Sequence, residues 1–300
     1  MNNPPILILG TGALATLFAA RLGARGHEIS MLGTWDAGLN ALERDGARLI
    51  ESGGDEIRAP VRILRAPEAG RAARIALVLV KSPQTERVAS QLKECLADEG
   101  IAVTLQNGLG NDEILAAALG RIRVALGVTT TGASLVAPGL ARAGGEGTIS
   151  LEAHARISEV EAALAGACFT VRVVADAQSL VWGKLVVNAA INPLTALLRV
   201  PNGELLENPS SRAMMKFLAE EVAAVAEAQN IKLPFDDAVA AAENVAQKTA
   251  ANHSSMLQDV ERGAQTEIDA ICGAVTRAGE RLGVPTPINR MCWELVRALL

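Results

Sequence analysis

Short apolar runs alternate with amphipathic segments over the first 175 residues of the chain. The run Pro5–Leu9 is apolar throughout and ends at Gly10, which is typical of a buried parallel strand that enters a turn. Ala13–Arg25 carries apolar residues at helical spacing, and Gly26 follows it in the position of a helix C′ glycine. His27–Leu32 predicts a second strand, so these segments together predict a βαβ unit.

Further strand-like runs follow in the same part of the chain, and helical segments separate several of them. The additional strands are predicted at Ile75–Val80, Ile101–Leu105, Arg123–Val128 and Thr170–Val174. The additional helices are predicted at Glu86–Leu96 and Asp112–Leu119. This alternation indicates an α/β fold with an N-terminal, doubly wound sheet of the Rossmann type.

The pattern changes after Asp176, where strand signals end and an Ala-, Glu- and Leu-rich helical periodicity begins. Helices are predicted there at Ser179–Leu198, Ser211–Ala228, Phe235–Asn252 and Thr266–Leu282. We therefore expect a Rossmann domain over residues 1–175 and an all-helical C-terminal domain over residues 176–300. Ligand sites favour domain interfaces, so the active site is expected between the two domains.

Composition narrows the class of partner. Half of the residues are hydrophobic, but only 2% are aromatic, which argues against a surface that stacks nucleic-acid bases. The net charge is −5 and neither sign forms a long block, which argues against nucleic acid or an anionic membrane as the main partner. A small-molecule partner is expected instead.

The four cysteines are far apart in the sequence and form no CxxC pair, so neither a metal site nor a disulfide framework is predicted. The amino terminus lacks the basic and apolar regions of a secretion signal, and uninterrupted aliphatic runs are too short to span a membrane. We expect a cytoplasmic protein with reduced thiols.

A dinucleotide fingerprint of the form GxGxxA follows the first predicted strand. Its residues are Gly10, Thr11, Gly12, Ala13, Leu14 and Ala15. Gly10 permits a tight turn, Gly12 lets the backbone approach a pyrophosphate, and Ala15 allows close packing of helix on strand. The start of the helix offers N–H groups to the phosphates. The structural alternative is a glycine turn that closes an ordinary βα unit.

The end of the second predicted strand bears on the choice of cofactor, because NAD enzymes place an acid there and NADP enzymes an arginine. Thr34 takes that place here, and Asp36 follows slightly later. This favours NADP(H) and leaves NAD(H) open. Lys81 and Asn107 also follow predicted strands, where open α/β sheets bind ligands, although a solvated lysine and a turn-forming asparagine are structural alternatives.

Three polar residues recur on one otherwise apolar predicted helix of the C-terminal half. Lys184, Asn188 and Asn192 are four residues apart, so they rotate by only ~80° in total and share one face. Burying these groups without partners is costly, which favours a polar cleft over a solvent-facing stripe. Pro193 is expected to interrupt the helix directly after Asn192.

Two helix starts are predicted further along the chain. Ser255 with Gln258 fits a capping box, and Thr266 with Asp269 resembles another start that places Glu267 in a first helical turn. Capping alone can account for these residues.

Together these motifs resemble the ketopantoate reductase family over nearly the whole chain. The resemblance rests on Gly10-x-Gly12-x-x-Ala15, Lys81, Gln-Asn107-Gly, Lys184-Leu-x-x-Asn188-x-x-x-Asn192-Pro-Leu-Thr-Ala, Pro-Asn202-Gly-Glu, Ser254-Ser255-Met-Leu-Gln-Asp259 and Thr-Glu267-Ile-Asp. It implies NADPH-dependent reduction of ketopantoate to (R)-pantoate, on the route to pantothenate and coenzyme A. A related dehydrogenase of another 2-oxo or β-hydroxy acid, and a non-catalytic NADP-sensing protein, remain alternatives.

The resemblance also implies roles for individual residues. Lys184 would donate the proton to the ketone, and Glu267 would stand near both cofactor and substrate. The other substrate-binding residues would be Asn107, Asn188, Asn192, Asn202 and Ser255. The cofactor site would comprise Gly10–Ala15 with Lys81, Asn107 and Ala133. Thr34 departs from the arginine of many members, and a homodimer is left open beside a monomer.

Overall fold

The computed structural model describes residues 3–67 and 73–299 of the chain. The chain falls into two compact units, Met1–Gln106 with Asn111–Ala177, and Asn107–Gly110 with Gln178–Leu300. The four residues 107–110 thus belong to the second unit, although they follow a strand of the first. We call this change of unit the crossing at residues 107–110, and nothing in the hydrophobic pattern indicated it.

The first unit alternates strands and helices. Its strands are β1 (Ile6–Leu9), β2 (Ile29–Leu32), β3 (Ala47–Ile50), β4 (Glu56–Ala59), β5 (Arg62–Leu64), β6 (Ala73–Val78), β7 (Leu96–Thr104), β8 (Val124–Thr129), β9 (Ala133–Ala137), β10 (Leu140–Ala143), β11 (Thr148–Glu152) and β12 (Thr170–Val174). Its helices are α1 (Ala13–Ala24), α2 (Asp36–Asp45), α3 (Thr85–Cys95), α4 (Asn111–Leu119) and α5 (Ser158–Gly166), with 3-10 turns at Ser82–Gln84 and Arg121–Arg123.

Eight of these strands form one sheet in the order β12-β11-β8-β7-β6-β1-β2-β5. Every neighbouring pair is parallel except β8 and β11. The predicted α/β class is confirmed. Because β1, β2, β6 and β7 run the same way, their carboxyl ends share one edge of the sheet, where the glycine turn begins.

A second sheet in the order β4-β3-β10-β9 was not predicted. Its strands have only four or five residues each and are rich in Ala and Arg, so they carry neither a long apolar run nor a clear alternation. The sheet packs on α1, and a Cβ on Gly23 would lie 2.6 Å from Ala59 Cβ. Ala133, expected at the cofactor, is the first residue of β9 in this sheet.

The second unit is helical. Its helices are α6 (Ala177–Leu198), α7 (Glu204–Glu207), α8 (Pro209–Ala228), α9 (Ala238–Lys248), α10 (Ser255–Glu261), α11 (Cys272–Leu282) and α12 (Pro287–Arg297). The helical character predicted for this region is confirmed. The helix expected at Phe235–Asn252 is shorter, because Asp237 caps it and accepts a hydrogen bond from the Ala240 N–H.

The prediction that Pro193 interrupts its helix is wrong, since α6 continues through it to Leu198. Proline has no N–H to donate, which removes the helical bond to the carbonyl of Ala189. Leu194 and Ala196 are nevertheless buried in the core of the second unit. We infer that this packing outweighs the lost bond.

Helix α6 is long and apolar enough to cross a membrane, the one such helix among the residues that the structure describes. However, 67% of its apolar window is buried inside the protein. Its apolar surface therefore forms the core around Trp182, Leu185 and Val186.

Candidate active site

The glycine turn after β1 adopts a backbone conformation that favours glycine. Gly10 has φ +125°, and a Cβ there would lie 3.0 Å from the Leu79 carbonyl oxygen. Its N–H donates to the Leu32 carbonyl oxygen at 2.8 Å. The turn is thus closed between the ends of β1, β2 and β6, and a side chain at Gly10 would be strained.

The start of α1 leaves space for a ligand. Gly12 is its N-cap residue, and no side chain caps the helix there. A Cβ on Gly12 would have no heavy atom of the described chain within 4 Å, whereas Ala15 is fully buried behind it. Open space at helix N–H groups is the arrangement that binds a dinucleotide pyrophosphate, so these residues fit such a cofactor.

The residues beyond β2 do not resemble a typical nucleotide-selecting site. Gly33 lies against Thr11, whose Cγ2 would be 2.8 Å from a Cβ at that glycine. Thr34 and Asp36 are exposed, and Asp36 is the first residue of α2. No arginine follows β2 directly, so neither side of the NAD or NADP choice is specified here.

A polar network that was not anticipated ties the ends of β6 and β7 together. Gln106 Nε2 donates to the Val80 carbonyl oxygen at 3.0 Å and to Thr85 Oγ1 at 2.9 Å. Thr85 is fully buried and also bonds to Asn111 Oδ1 at 2.8 Å. Gln106 thereby holds the backbone directly before Lys81 and directly before Asn107. The Gln-Asn-Gly sequence signalled a turn, but not this use of the glutamine.

Residues 107–110 are held against the turn that precedes α11. The Leu109 N–H donates to the Ala270 carbonyl oxygen at 2.9 Å. Gly108 has φ +84°, and a Cβ there would lie 2.4 Å from the same oxygen. Only glycine allows so close an approach. As a result, Asn107 Nδ2 reaches Glu267 Oε2 and donates to it at 2.9 Å.

Glu267 lies in this irregular turn, not in a first helical turn, so the predicted helix start at Thr266 is wrong. The N–H groups of Ala270 and Ile271 donate to the Glu267 carbonyl oxygen, at 3.0 and 3.1 Å. Ile271, with ψ −96°, leaves the helical region, and α11 begins only at Cys272. The Glu267 side chain is buried, with only 5% of the residue exposed.

Lys184 of α6 carries the perturbed charge of this site. Burial of its ammonium group lowers its pKa from 10.5 to about 8, and the negative charge of Glu267 opposes that shift. Lys184 as a whole is partly buried, so its ammonium end is the part that loses hydration. The structure thus brings together three of the predicted residues, Asn107, Lys184 and Glu267.

The remaining predicted residues of the second unit occupy different elements. Asn188 is partly buried and Asn192 buried, on the face of α6 that carries Lys184. Ser255 is exposed as the first residue of α10. The predicted capping role of Ser255 is wrong, because Ser254 is the N-cap and accepts from the Leu257 N–H at 3.0 Å. Ser254 has Leu257, not a glutamine, three residues later, so the capping-box pattern selected the wrong serine.

Asn202 lies in the loop before α7 and is buried. Its Nδ2 donates to Thr249 Oγ1 at 2.9 Å, and its backbone N–H donates to the Asn252 carbonyl oxygen at 3.0 Å. Its buried Oδ1 has no hydrogen-bond partner. Buried polar atoms are rarely left unsatisfied, so this oxygen needs a donor.

Replacing Gly108 by Ala should destabilise the second unit, because the new Cβ would clash with the Ala270 carbonyl oxygen. Gly110 provides a matched control, since it also has positive φ (+91°) but open space around a Cβ. We expect Gly108→Ala to cost about 1–3 kcal/mol more than Gly110→Ala in urea-denaturation measurements. Equal losses for the two variants would mean that the close approach to Ala270 contributes nothing.

Comparison with known proteins covers both units. A family model described as "Ketopantoate reductase PanE/ApbA" matches residues 6–156, and its C-terminal counterpart matches residues 176–300. A 2-dehydropantoate 2-reductase of Archaeoglobus fulgidus is 38% identical over 304 residues, covering 100% of this chain and 99% of the relative. One from Halobacterium salinarum is 33% identical, covering 97% of each chain.

Solved structures agree in fold. A PanE/ApbA family ketopantoate reductase from Ralstonia eutropha superposes with a TM-score of 0.92 at 31% identity, covering 98% of each chain. A 2-dehydropantoate 2-reductase from Geobacter metallireducens gives 0.91 at 29% identity, covering 99% of this chain and 100% of the other. D-mandelate dehydrogenase, at 24% identity, shares the fold with a TM-score of 0.92. From the two family matches and the full-length relatives, the chain belongs to the ketopantoate reductase family.

Proposed function

We propose that this chain reduces ketopantoate to (R)-pantoate with NADPH. The observation that carries the proposal is Lys184, whose pKa is lowered to about 8 and whose charge interacts with that of Glu267, in a member of this reductase family. Ketone reduction needs a proton donor beside the carbonyl oxygen. A lysine with a pKa near the working pH is suited to that role.

A nicotinamide dinucleotide supplies the hydride when it is bound. The open turn at Gly12 and the N-terminus of α1 fit its pyrophosphate, and the residues proposed to hold it are Gly10–Ala15, Lys81, Asn107 and Ala133. The preference for NADPH rests on the family resemblance, since Thr34 provides no charge for a 2′-phosphate.

Lys184 would act at the ketone oxygen. Negative charge develops on that oxygen as the carbonyl carbon is reduced, so an ammonium group there stabilises the transition state more than the ground state. Lys184 then transfers its proton to the oxygen and completes the hydroxyl group. Burial makes this transfer easier, because it destabilises the charged lysine relative to the neutral amine.

Glu267 would oppose the effect of burial on the pKa of Lys184. Its charge raises the pKa of Lys184, which keeps a large fraction of the lysine protonated near neutral pH. Asn107 donates to Glu267 Oε2 and so restrains the carboxylate. The carboxylate is proposed to accept a hydrogen bond from the ammonium group or from a substrate hydroxyl.

Neutral side chains are proposed to bind the rest of the substrate. Asn188, Asn192 and Ser255 can donate hydrogen bonds to a carboxylate without adding negative charge. Asn202 is proposed to line the same site from the loop before α7. A 2-oxo acid that also carries a hydroxyl group can accept hydrogen bonds through its carboxylate and donate one through its hydroxyl.

We also propose a cytoplasmic location and a small-molecule partner, without nucleic acid or membrane. All four cysteines are free thiols, which is typical of a reducing compartment.

Purified protein should oxidise NADPH when ketopantoate is added, followed as loss of absorbance of the reduced nicotinamide. A 2-oxo acid of the same carbon skeleton without the hydroxyl group is the matched substrate. We expect kcat/KM to fall by about tenfold or more for that analogue, because the polar side chains of the site would lose a hydrogen-bond partner. Equal or better use of the analogue would indicate a dehydrogenase of another 2-oxo acid.

Turnover should decline as the pH rises through about 8, because Lys184 donates its proton only while it is charged. Lys184→Ala should lower kcat by ~10²–10⁴ and remove this decline, while the far-UV circular dichroism and cofactor affinity persist. Lys248, at the end of α9, offers a control lysine outside the site.

The partnership with Glu267 is tested by a double variant. If the two groups work as a unit, Lys184→Ala with Glu267→Ala should lose much less than the product of the single effects. Near wild-type turnover of Lys184→Ala at saturating ketopantoate would exclude this mechanism.

Thr34→Arg should shift the cofactor preference towards NADPH. The side chain at this position is exposed directly beyond β2, so a guanidinium group there could make a charge-assisted bond to a 2′-phosphate. We expect the ratio of kcat/KM for NADPH over NADH to rise by about tenfold, with Thr34→Gln as a neutral control of similar length. An unchanged ratio would show that the 2′-phosphate is bound elsewhere.

A further inference from the structure

Two buried hydroxyl groups join α6 to the start of α10. Thr195 is 0% exposed and Ser254 5% exposed, and their oxygen atoms lie 2.7 Å apart. These residues are 59 positions apart in the sequence, so their bond links segments that no local interaction would hold together.

The chemistry of the neighbouring groups sets the direction of each hydrogen bond. The Leu257 N–H can only donate, and it donates to Ser254 Oγ at 3.0 Å. The Asn192 carbonyl oxygen can only accept, and it lies 2.9 Å from Thr195 Oγ1. Thr195 therefore uses its single proton on that carbonyl, and Ser254 donates to Thr195. The result is a continuous chain of three bonds from α10 to the backbone of Asn192.

This chain of hydrogen bonds reaches α6 beside Pro193. Pro193 has no N–H, so the carbonyl of Ala189 loses its helical partner within one turn of Asn192. The Thr195 hydroxyl adds a side-chain donor to the Asn192 carbonyl in the same part of the helix, at 2.9 Å.

The other end of the chain determines where α10 starts. Ser254 is the N-cap, and Ser255 follows as the first helical residue with its side chain exposed. Fixing the Ser254 hydroxyl therefore fixes the backbone from which Ser255 projects. Thr195 and Ser254 are themselves buried, so neither hydroxyl is available to a substrate.

We propose that Thr195 and Ser254 are a pair of positioning residues that set the spacing between Asn192 and Ser255 for the substrate. The inference rests on the proposed function, which assigns Asn192 and Ser255 to substrate binding. Loss of the pair weakens substrate binding through both residues and leaves the proton donor Lys184, at the other end of this face of α6, in place.

The test compares two isosteric substitutions in the second unit. Thr195→Val removes the hydroxyl of the pair. Thr276→Val is the matched control, because Thr276 is also fully buried and donates to a backbone carbonyl, that of Cys272, at 2.9 Å in α11. Both variants should lose thermal stability, but only Thr195→Val should raise the KM for ketopantoate, by about tenfold, with kcat and the KM for NADPH nearly unchanged.

Two further variants complete the test, a conservative substitution of Thr195 and a substitution of its partner Ser254. Thr195→Ser keeps a hydroxyl and should restore most of the KM, and Ser254→Ala should raise the KM in the same direction if Thr195→Val does not fold. An unchanged KM in Thr195→Val or in Ser254→Ala, alongside a lower melting temperature, would show that the pair serves stability only.

Ser255→Ala and Asn192→Ala separate this inference from the proposed function. If either raises the KM while Thr195→Val does not, the substrate site stands and the positioning role fails. If neither changes the KM, the substrate site and the positioning role are both wrong.

Discussion

The charge on Lys184 is the constraint around which the second unit is organised. Burial removes hydration from the ammonium group, which by itself would favour the neutral amine. Glu267 opposes this loss through its negative charge, but it is itself buried and needs a donor. Asn107 provides that donor, and Gly108 lets the segment approach closely enough to do so. The charge of Lys184 thus depends on Glu267, the Glu267 carboxylate on Asn107, and the position of Asn107 on Gly108.

Much of the fold could be predicted because its signals are local. The run before Gly10, the periodicity of α1 and the apolar interior of β6 are each contained within a few residues, and all three elements form as expected. The small sheet of β3, β4, β9 and β10 was missed because strands of four or five residues that are rich in Ala and Arg become strands only through their packing on α1. The continuation of α6 past Pro193 was missed for the same reason, since the packing of Leu194 is a tertiary effect.

The site was predictable in residue type but not in arrangement. Lys184, Asn188 and Asn192 share a helix face because of their spacing, which the sequence shows directly. The contact of Asn107 with Glu267 joins positions 160 residues apart, and nothing local specifies it. Gln106 and Thr195 were not expected to matter, because a glutamine at a strand end and a threonine in a helix have common structural explanations. Their partners, the carbonyl groups of Val80 and Asn192, are backbone atoms and leave no trace in a sequence.

The crossing at residues 107–110 limits how modular this protein is. Although two family models divide the chain near its middle, the helical unit takes one of its site residues, Asn107, from the N-terminal half of the sequence. A fragment that begins at residue 178 therefore lacks a piece of its own structure. Exchange of C-terminal halves between relatives, in the laboratory or in evolution, would separate Glu267 from the loop that it contacts. The two halves of the gene are thus expected to change together, even where the two units fold around separate cores.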